Sequence, residues 1–444
     1  MLINCVLDFI HKPFKGLYES SAILKNLDNF ILVSILLTFV CATFLSSDVV
    51  GYLGFATFLL TIIRVITNPF DRLKCEKFEL FLIAYFMLVI VSVAGSTMLH
   101  LSLKGFFKTF IYLSFYFSVV HHLKYNKKSI MPILFCIAGC ITFESIIGLS
   151  QNFIQVGEIS GWQDTSNLNP EEVMTRVYGT LQPLNPNLLG GYFVAGISSL
   201  FGLCAYYFNN QNFKRAILFG ILSLVASVTT FLTGCRGAYI GLFLITSLIF
   251  VISLKFFWNQ YKKIYLTVLA SMVSLATFLV LAISALRARV FSIFAMRSDS
   301  SNSFRFNVYQ SSFKMFKDNW LLGIGMGNQN FREIYGLYMK TGFDALSAYN
   351  IYLETAVESG IFALIAFLGF LFSLIYDAIK YIRNSENKNN IILVSIPLLS
   401  ISGIMIHGMV DTVFFRPQIQ ITFWTMIAIL STMLYSPQSD LENI

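Results

Sequence analysis

The sharpest chemical feature of the sequence is Thr233-Gly234-Cys235-Arg236-Gly237, a tight break between two apolar runs that carries one arginine. An arginine at such a boundary is costly unless paired. It either snorkels to water beside the glycine turn or clamps an anion. Further along come Arg287, Arg289 and Arg297, then Arg305, then the run Trp320 to Asn328 with Gly323, Gly325 and Gly327. Guanidinium groups grip phosphate and carboxylate bidentately, and glycines let backbone approach a ligand, so the set fits a pocket for an anionic headgroup. The glycine run alone also reads as a plain turn after an amphipathic helix. Asn350, Glu354 and Glu358 recur every fourth residue on one helical face, either as two carboxylates and an amide facing one site or as a solvated face. His407, Asp411 and Arg416 cluster before the last apolar run, where Asp411 and Arg416 are expected to pair.

The elements that must hold these residues are membrane helices. Of the 444 residues, 56% are hydrophobic and only 12% charged, and the mean hydropathy is +0.70. A water-soluble core cannot absorb that much apolar surface. Twelve spans are expected, at Phe30–Leu45, Val49–Ile66, Phe78–Ala94, Phe107–Val120, Met131–Ile154, Asn187–Tyr207, Ala216–Leu232, Gly237–Leu254, Tyr265–Ala285, Gly360–Ile382, Ile391–Ile406 and Gln418–Leu434. The fold class is therefore an all-α integral membrane protein with a large extracytoplasmic loop between spans 9 and 10. By residue number, 1–28 form a cytoplasmic amphipathic segment, 29–285 the first nine spans, 286–359 the loop, 360–435 the last three spans and 436–444 a cytoplasmic tail.

Charge sets the orientation. With both termini cytoplasmic, every inside connection is basic, through Lys12, Arg64, Arg72, Lys124, Lys214, Lys255 and Lys380 among others. The net charge of +8 is therefore a topology signal rather than a sign of nucleic-acid binding. Two longer segments, Gln155 to Pro186 and Leu286 to Ser359, fall on the outer side, and the second is also basic. Long loops escape the charge rule, so those arginines need another explanation. The seven cysteines are scattered, with no metal-ligand spacing. No phosphate-binding loop or dinucleotide fingerprint follows a strand-like run, so no nucleotide or metal cofactor is expected. Glu144 is the one ionisable residue deep within an expected span.

From Thr233 to Pro417 the order of motifs resembles the O-antigen ligase and polymerase superfamily of bacterial envelope proteins: Cys235-Arg236-Gly237, Arg305 before Leu322-Gly323-Ile324-Gly325, then Asn350, Glu354 and Gly360 leading into a span. Within it the chain is most similar to the cyanobacterial IctB subfamily, described as bicarbonate transporters. That likeness rests on Arg176-Val177-Tyr178, Asn185-Pro186-Asn187-Leu188-Leu189, Arg289 to Phe294, Asp299 to Asn302, Leu346 to Tyr349, His407-Gly408, Asp411-Thr412-Val413 and Arg416-Pro417.

The superfamily resemblance implies metal-independent transfer of a glycan from an undecaprenyl-diphosphate carrier at the outer face of the inner membrane, a step of polysaccharide biosynthesis. It implies Arg236, Arg305, Tyr349, Asn350 and Glu354 as the catalytic set. Arg289, Arg297, Asp411 and Arg416 are expected to bind substrate, and Arg236 and Arg305 to face the donor diphosphate. The chain departs from the ligases at Tyr349, where they carry a histidine, and a tyrosine of ordinary pKa about 10 is a poor base at neutral pH. Glu354, Glu358 or Asp411 would then have to serve as base. The subfamily resemblance implies the alternative, bicarbonate drawn to the same cations as part of inorganic-carbon uptake.

Overall fold

The computed structural model describes residues 2–153, 176–294 and 299–436. Most of the Gln155 to Pro186 segment, Arg297 and nearly all of the C-terminal tail thus lie outside the described residues. The chain runs through α1 (Leu2–Ser20), α2 (Ala22–Lys25), α3 (Leu27–Phe44), α4 (Ser47–Thr67), α5 (Glu79–Ala94), α6 (Leu99–Tyr125), α7 (Ile130–Phe153), α8 (Pro186–Asn209), α9 (Phe213–Leu232) and α10 (Arg236–Ala282). It continues through α11 (Ser284–Phe291), α12 (Ser300–Asp318), α13 (Asn328–Tyr335), α14 (Ile351–Asn384), α15 (Lys388–His407) and α16 (Pro417–Tyr435). In lipid every backbone polar group must be satisfied within the protein, and helices achieve this segment by segment.

Each of the twelve expected spans falls on a helix, but among the described residues ten helical segments are long and apolar enough to cross a membrane. The Phe78–Ala94 span is the 16-residue α5, shorter than the usual crossing length. The Phe107–Val120 span lies inside the 27-residue α6, whose ends carry His100, Lys104, His121, His122 and Lys124 and dilute its apolar character. The eighth and ninth spans are the two halves of α10, kinked at Tyr261. Helices α8, α15 and α16 form the hub, with 83%, 83% and 89% of their apolar windows buried. The second half of α10 has none buried, and Met272, Phe278 and Leu281 project outward from it.

One seam positions the acidic face. Helix α14 is broken at Gly360, where φ is +81° and ψ 173°. Across the break lies an extended stretch: Ile324 N and Gly325 N each donate at 2.9 Å to Val357 O and Glu358 O, and Ile361 N donates to Trp320 O at 2.9 Å. The backbone groups freed by the break are thus satisfied by the glycine run. A Cβ on Gly323 would stand 2.4 Å from the Glu358 carbonyl, and one on Gly360 would stand 2.2 Å from Leu321 O. The glycines of Trp320 to Asn328 therefore serve close backbone packing, and the expectation that they approach an anionic headgroup is corrected.

Candidate functional site

The helices alternate in direction, so the α9–α10 break, the α11–α13 segment, the start of α14 and the α15–α16 turn meet at one end of the bundle. Two motifs distant in sequence are zipped there. Ile351 N donates to Gly408 O at 2.8 Å, Asn350 Nδ2 donates to Met409 O at 2.9 Å, and the hydroxyls of Ser347 and Thr412 lie 2.7 Å apart. Asn350 also caps α14, its Oδ1 accepting from Tyr352 N and Leu353 N. Its place is thus structural, at the joint that sets Tyr349 beside Asp411.

Arg236, the first residue of α10, has a side chain only 7% exposed and reaches Asp299 Oδ1 at 2.9 Å. It also donates to the carbonyl and hydroxyl of Ser292, each at 3.2 Å. It is held inside the protein rather than snorkelling to water. Arg305, on α12, meets Asp411 Oδ2 at 3.4 Å, the longest of the arginine–carboxylate pairs among the described residues. The expected partner, Arg416, is exposed and heads α16, so the Asp411–Arg416 pair is replaced by Asp411–Arg305. Asp411 Oδ1 is occupied by Thr412 N and Val413 N, at 2.7 and 3.2 Å, which fixes the carboxylate toward Arg305.

Two more arginines complete the set. Arg289 Nε donates to Gly234 O at 2.8 Å, and Arg176 Nε donates to Thr233 O at 2.7 Å while its Nη2 reaches Asn187 Oδ1 at 2.6 Å. Burial, then the neighbouring Arg176 charge, lowers Arg289 from the usual guanidinium value. Burial likewise lowers Arg176. Sequence reasoning did not assign Arg176 to the site. Its Arg-Val-Tyr neighbours gave only a family likeness, and its contacts lie 57 residues downstream at Thr233.

Tyr349 is a platform. It adopts φ +50°, a conformation few non-glycine residues take, and Tyr309 Oη holds its carbonyl at 3.1 Å. The Arg305 guanidinium carbon sits 5.9 Å from its ring centre. Burial, then the charge of Asp411, raises the Tyr349 phenol above its ordinary value, which removes it as a neutral-pH base.

Glu354 and Glu358 share one face as expected, but that face is not solvated: they are 1% and 3% exposed. Glu354 Oε2 accepts from Ala348 N at 3.1 Å, and Glu358 Oε1 accepts from Gly327 N at 2.8 Å. Both line a cavity of about 60 Å³ with Lys108, Gln420, Tyr112 and Trp424, room for a water or two. Its described lining includes no arginine, and each carboxylate braces a loop. Beneath the arginines, Cys235 Sγ lies 3.6 Å from His407 Nε2, both buried.

A cationic end of this kind, desolvated and served by few carboxylates, suits a phosphorylated ligand. Residues 194–368 match the O-antigen ligase family model. The match supports the O-antigen ligase superfamily. No curated protein matches the chain. The matched segment holds Arg236, Arg289, Arg305, Tyr349, Asn350, Glu354 and Glu358, while Arg176 and Asp411 are brought to it from outside its limits.

Proposed function

We propose that this chain, an O-antigen ligase-like protein of the IctB type, transfers a glycan from a lipid-diphosphate carrier to an acceptor hydroxyl at the outer face of the inner membrane. The observation that carries the reading is the arginine set: among the described residues, Asp299 and Asp411 are the carboxylates that Arg176, Arg236, Arg289 and Arg305 meet. Negative charge grows on the diphosphate as the bond from the sugar to its phosphate oxygen breaks, and fixed guanidinium groups stabilise that charge. The acceptor oxygen forms the new bond to the sugar and gives up its proton. Asp411 is the carboxylate held loosely by Arg305, at 3.4 Å, and donor phosphate drawing Arg305 away leaves its Oδ2 free to take that proton. Tyr349 orients Arg305, and Glu354 and Asn350 hold the loop that carries Tyr349.

The bicarbonate alternative draws less support. A conduit needs polar groups available across the bilayer, and Glu144 is tied down by Thr180 N and Thr180 Oγ1 at 3.0 and 2.5 Å.

The test is a deletion strain complemented with wild type, Arg236→Ala or Arg305→Ala, with envelope glycan profile and bicarbonate uptake both measured. The reading expects an altered glycan profile rescued by wild type and by neither mutant, with uptake intact. Lost uptake with an unchanged glycan profile, dependent on the same arginines, contradicts it.

A further inference from the structure

We propose that the cavity bearing Glu354 and Glu358 is a saccharide subsite that reads one hydroxyl edge of the acceptor sugar. The proposal rests on the transfer reading above and gives the acceptor hydroxyl its chemical class.

The cavity has a buried floor and an open mouth. Glu354, Glu358 and Gln420 are 1%, 3% and 5% exposed and form the floor with Tyr85 and Tyr112. Lys108, on α6, and Asn328, the first residue of α13, are exposed and stand at the mouth. Glu354 gives Oε2 to Ala348 N and Glu358 gives Oε1 to Gly327 N, so one oxygen of each carboxylate meets no described donor. Gln420 Oε1 accepts from Trp424 Nε1 at 2.7 Å, and no described residue accepts from its Nε2. The hydroxyls of Tyr85 and Tyr112 likewise have no hydrogen-bond partner among the described residues. Buried polar groups are normally hydrogen-bonded, so a floor with this many open donors and acceptors calls for a polar occupant.

The balance of charge and donors tells what that occupant is. An anion would meet two carboxylates. A metal ion would pass the Lys108 ammonium and meet the N–H side of Gln420, and no cluster of three metal-ligating side chains occurs among the described residues. What fits is a neutral group that donates to the carboxylate oxygens and accepts from the amide and the phenols, as neighbouring hydroxyls of a sugar do. Trp424, Phe367 and Phe414 supply apolar walls for the C–H face of a ring. At about 60 Å³ the cavity takes the hydroxyls of one edge and leaves the rest of the ring at the mouth, beside Lys108, Thr109 and Asn328. Its place in the chain suits an acceptor: Phe414 and Phe415, which line it, follow Asp411 by three and four residues, and Glu354 holds the loop that carries Tyr349.

The experiment is saturation-transfer NMR on the purified full chain in phosphatidylcholine nanodiscs, whose lipids carry neither sugar nor polyol. The probes are methyl β-glucoside, methyl β-galactoside and methyl β-N-acetylglucosaminide, with glycerol as the open-chain polyol. Wild type is expected to bind at least one glycoside with a Kd of about 1–10 mM, and glycerol at least about fivefold more weakly. Glu354→Gln and Glu358→Gln keep an oxygen for the Ala348 and Gly327 amides but turn the free oxygen into a donor. Each is expected to melt like wild type and to weaken glycoside binding by about fivefold or more. Carboxylates that only brace loops would leave glycoside binding unchanged in both variants, which overturns the subsite. Should a glutamine variant melt early, Thr109→Val at the mouth carries the test: affinity lowered about twofold or more supports the subsite, and unchanged affinity overturns it. No glycoside signal up to about 50 mM, or glycerol bound as tightly as the glycosides, also overturns it. The same nanodiscs, given a polyprenyl-diphosphate-linked oligosaccharide, separate the two readings. Donor consumed without glycoside binding overturns the subsite and leaves the transfer reading standing. Glycoside binding that depends on Glu354 and Glu358, with the donor left intact, supports the saccharide site and overturns the transfer reading.

Discussion

Both ends of the bundle bury arginine, and they do so in opposite ways. At one end Arg64 is saturated: Nε and Nη2 meet Asp28 at 2.5 and 3.3 Å, Nη1 pairs with Asp71 and lies 3.1 Å from His121 Nε2, and Tyr125 stacks 4.6 Å away. One guanidinium there has two carboxylates. At the other end Arg176, Arg236, Arg289 and Arg305 share two among the described residues. A cation with two carboxylates of its own is a staple between α3, α4 and α6. Cations in excess over the described carboxylates favour a bound anion.

The sharpest way to break this comparison is to remove an arginine from each end. Arg64→Ala strands two carboxylates, one of them fully buried, and should cost about 3–5 kcal/mol, read as a large fall in melting temperature of the purified protein. Arg236→Ala strands only the partly exposed Asp299 and relieves repulsion within its set, and should cost less than Arg64→Ala, about 1–2 kcal/mol, while abolishing transfer. Equal destabilisation at both ends would erase the distinction between staple and site. Between these extremes, Gly360→Ala puts a Cβ against Leu321 O at positive φ and should cost about 2–3 kcal/mol. Asn350→Ala removes the α14 cap and its tie to Met409, costing about 1–2 kcal/mol, and Asn350→Asp, which keeps the cap, should recover part of it.

Acid should act first on the saturated end. Burial works to raise the Asp71 carboxyl, but the hydrogen bond and charge of His121, with the charge of Arg64, outweigh it and hold Asp71 below the usual carboxylate range. A depressed folded value means stability that is present above the unfolded pKa of about 4 and lost as pH falls below it. Melting temperature should therefore hold from neutral pH to about 5 and drop below about 4, with a shallower drop in Asp71→Asn.

The same contrast explains what the sequence made legible. Hydropathy placed each expected span on a helix, with most ends within a few residues, because lipid selects apolar length directly. It missed the start of α14 by nine residues, Ile351 against Gly360, because the first turns are buried by protein and carry carboxylates. The spacing of Asn350, Glu354 and Glu358 revealed a shared face, but not that it is buried behind a loop. Arg64 read as a basic loop residue marking topology, since its partners Asp28, Asp71 and His121 are joined only by folding. Arg176 was invisible as a site residue for the same reason, and the glycine run was legible as backbone approach but not as to what approaches. Periodicity reports faces within one helix; it does not report which helix comes opposite.

The most direct measurement supplies a polyprenyl-diphosphate-linked oligosaccharide to the purified chain in lipid vesicles and follows release of the lipid diphosphate. Release and glycan transfer by wild type, lost in Arg236→Ala and Arg305→Ala proteins that melt like wild type, is the predicted result. A well-folded wild type that leaves the donor intact when acceptor is present, or arginine variants that transfer as fast as wild type, would contradict the account.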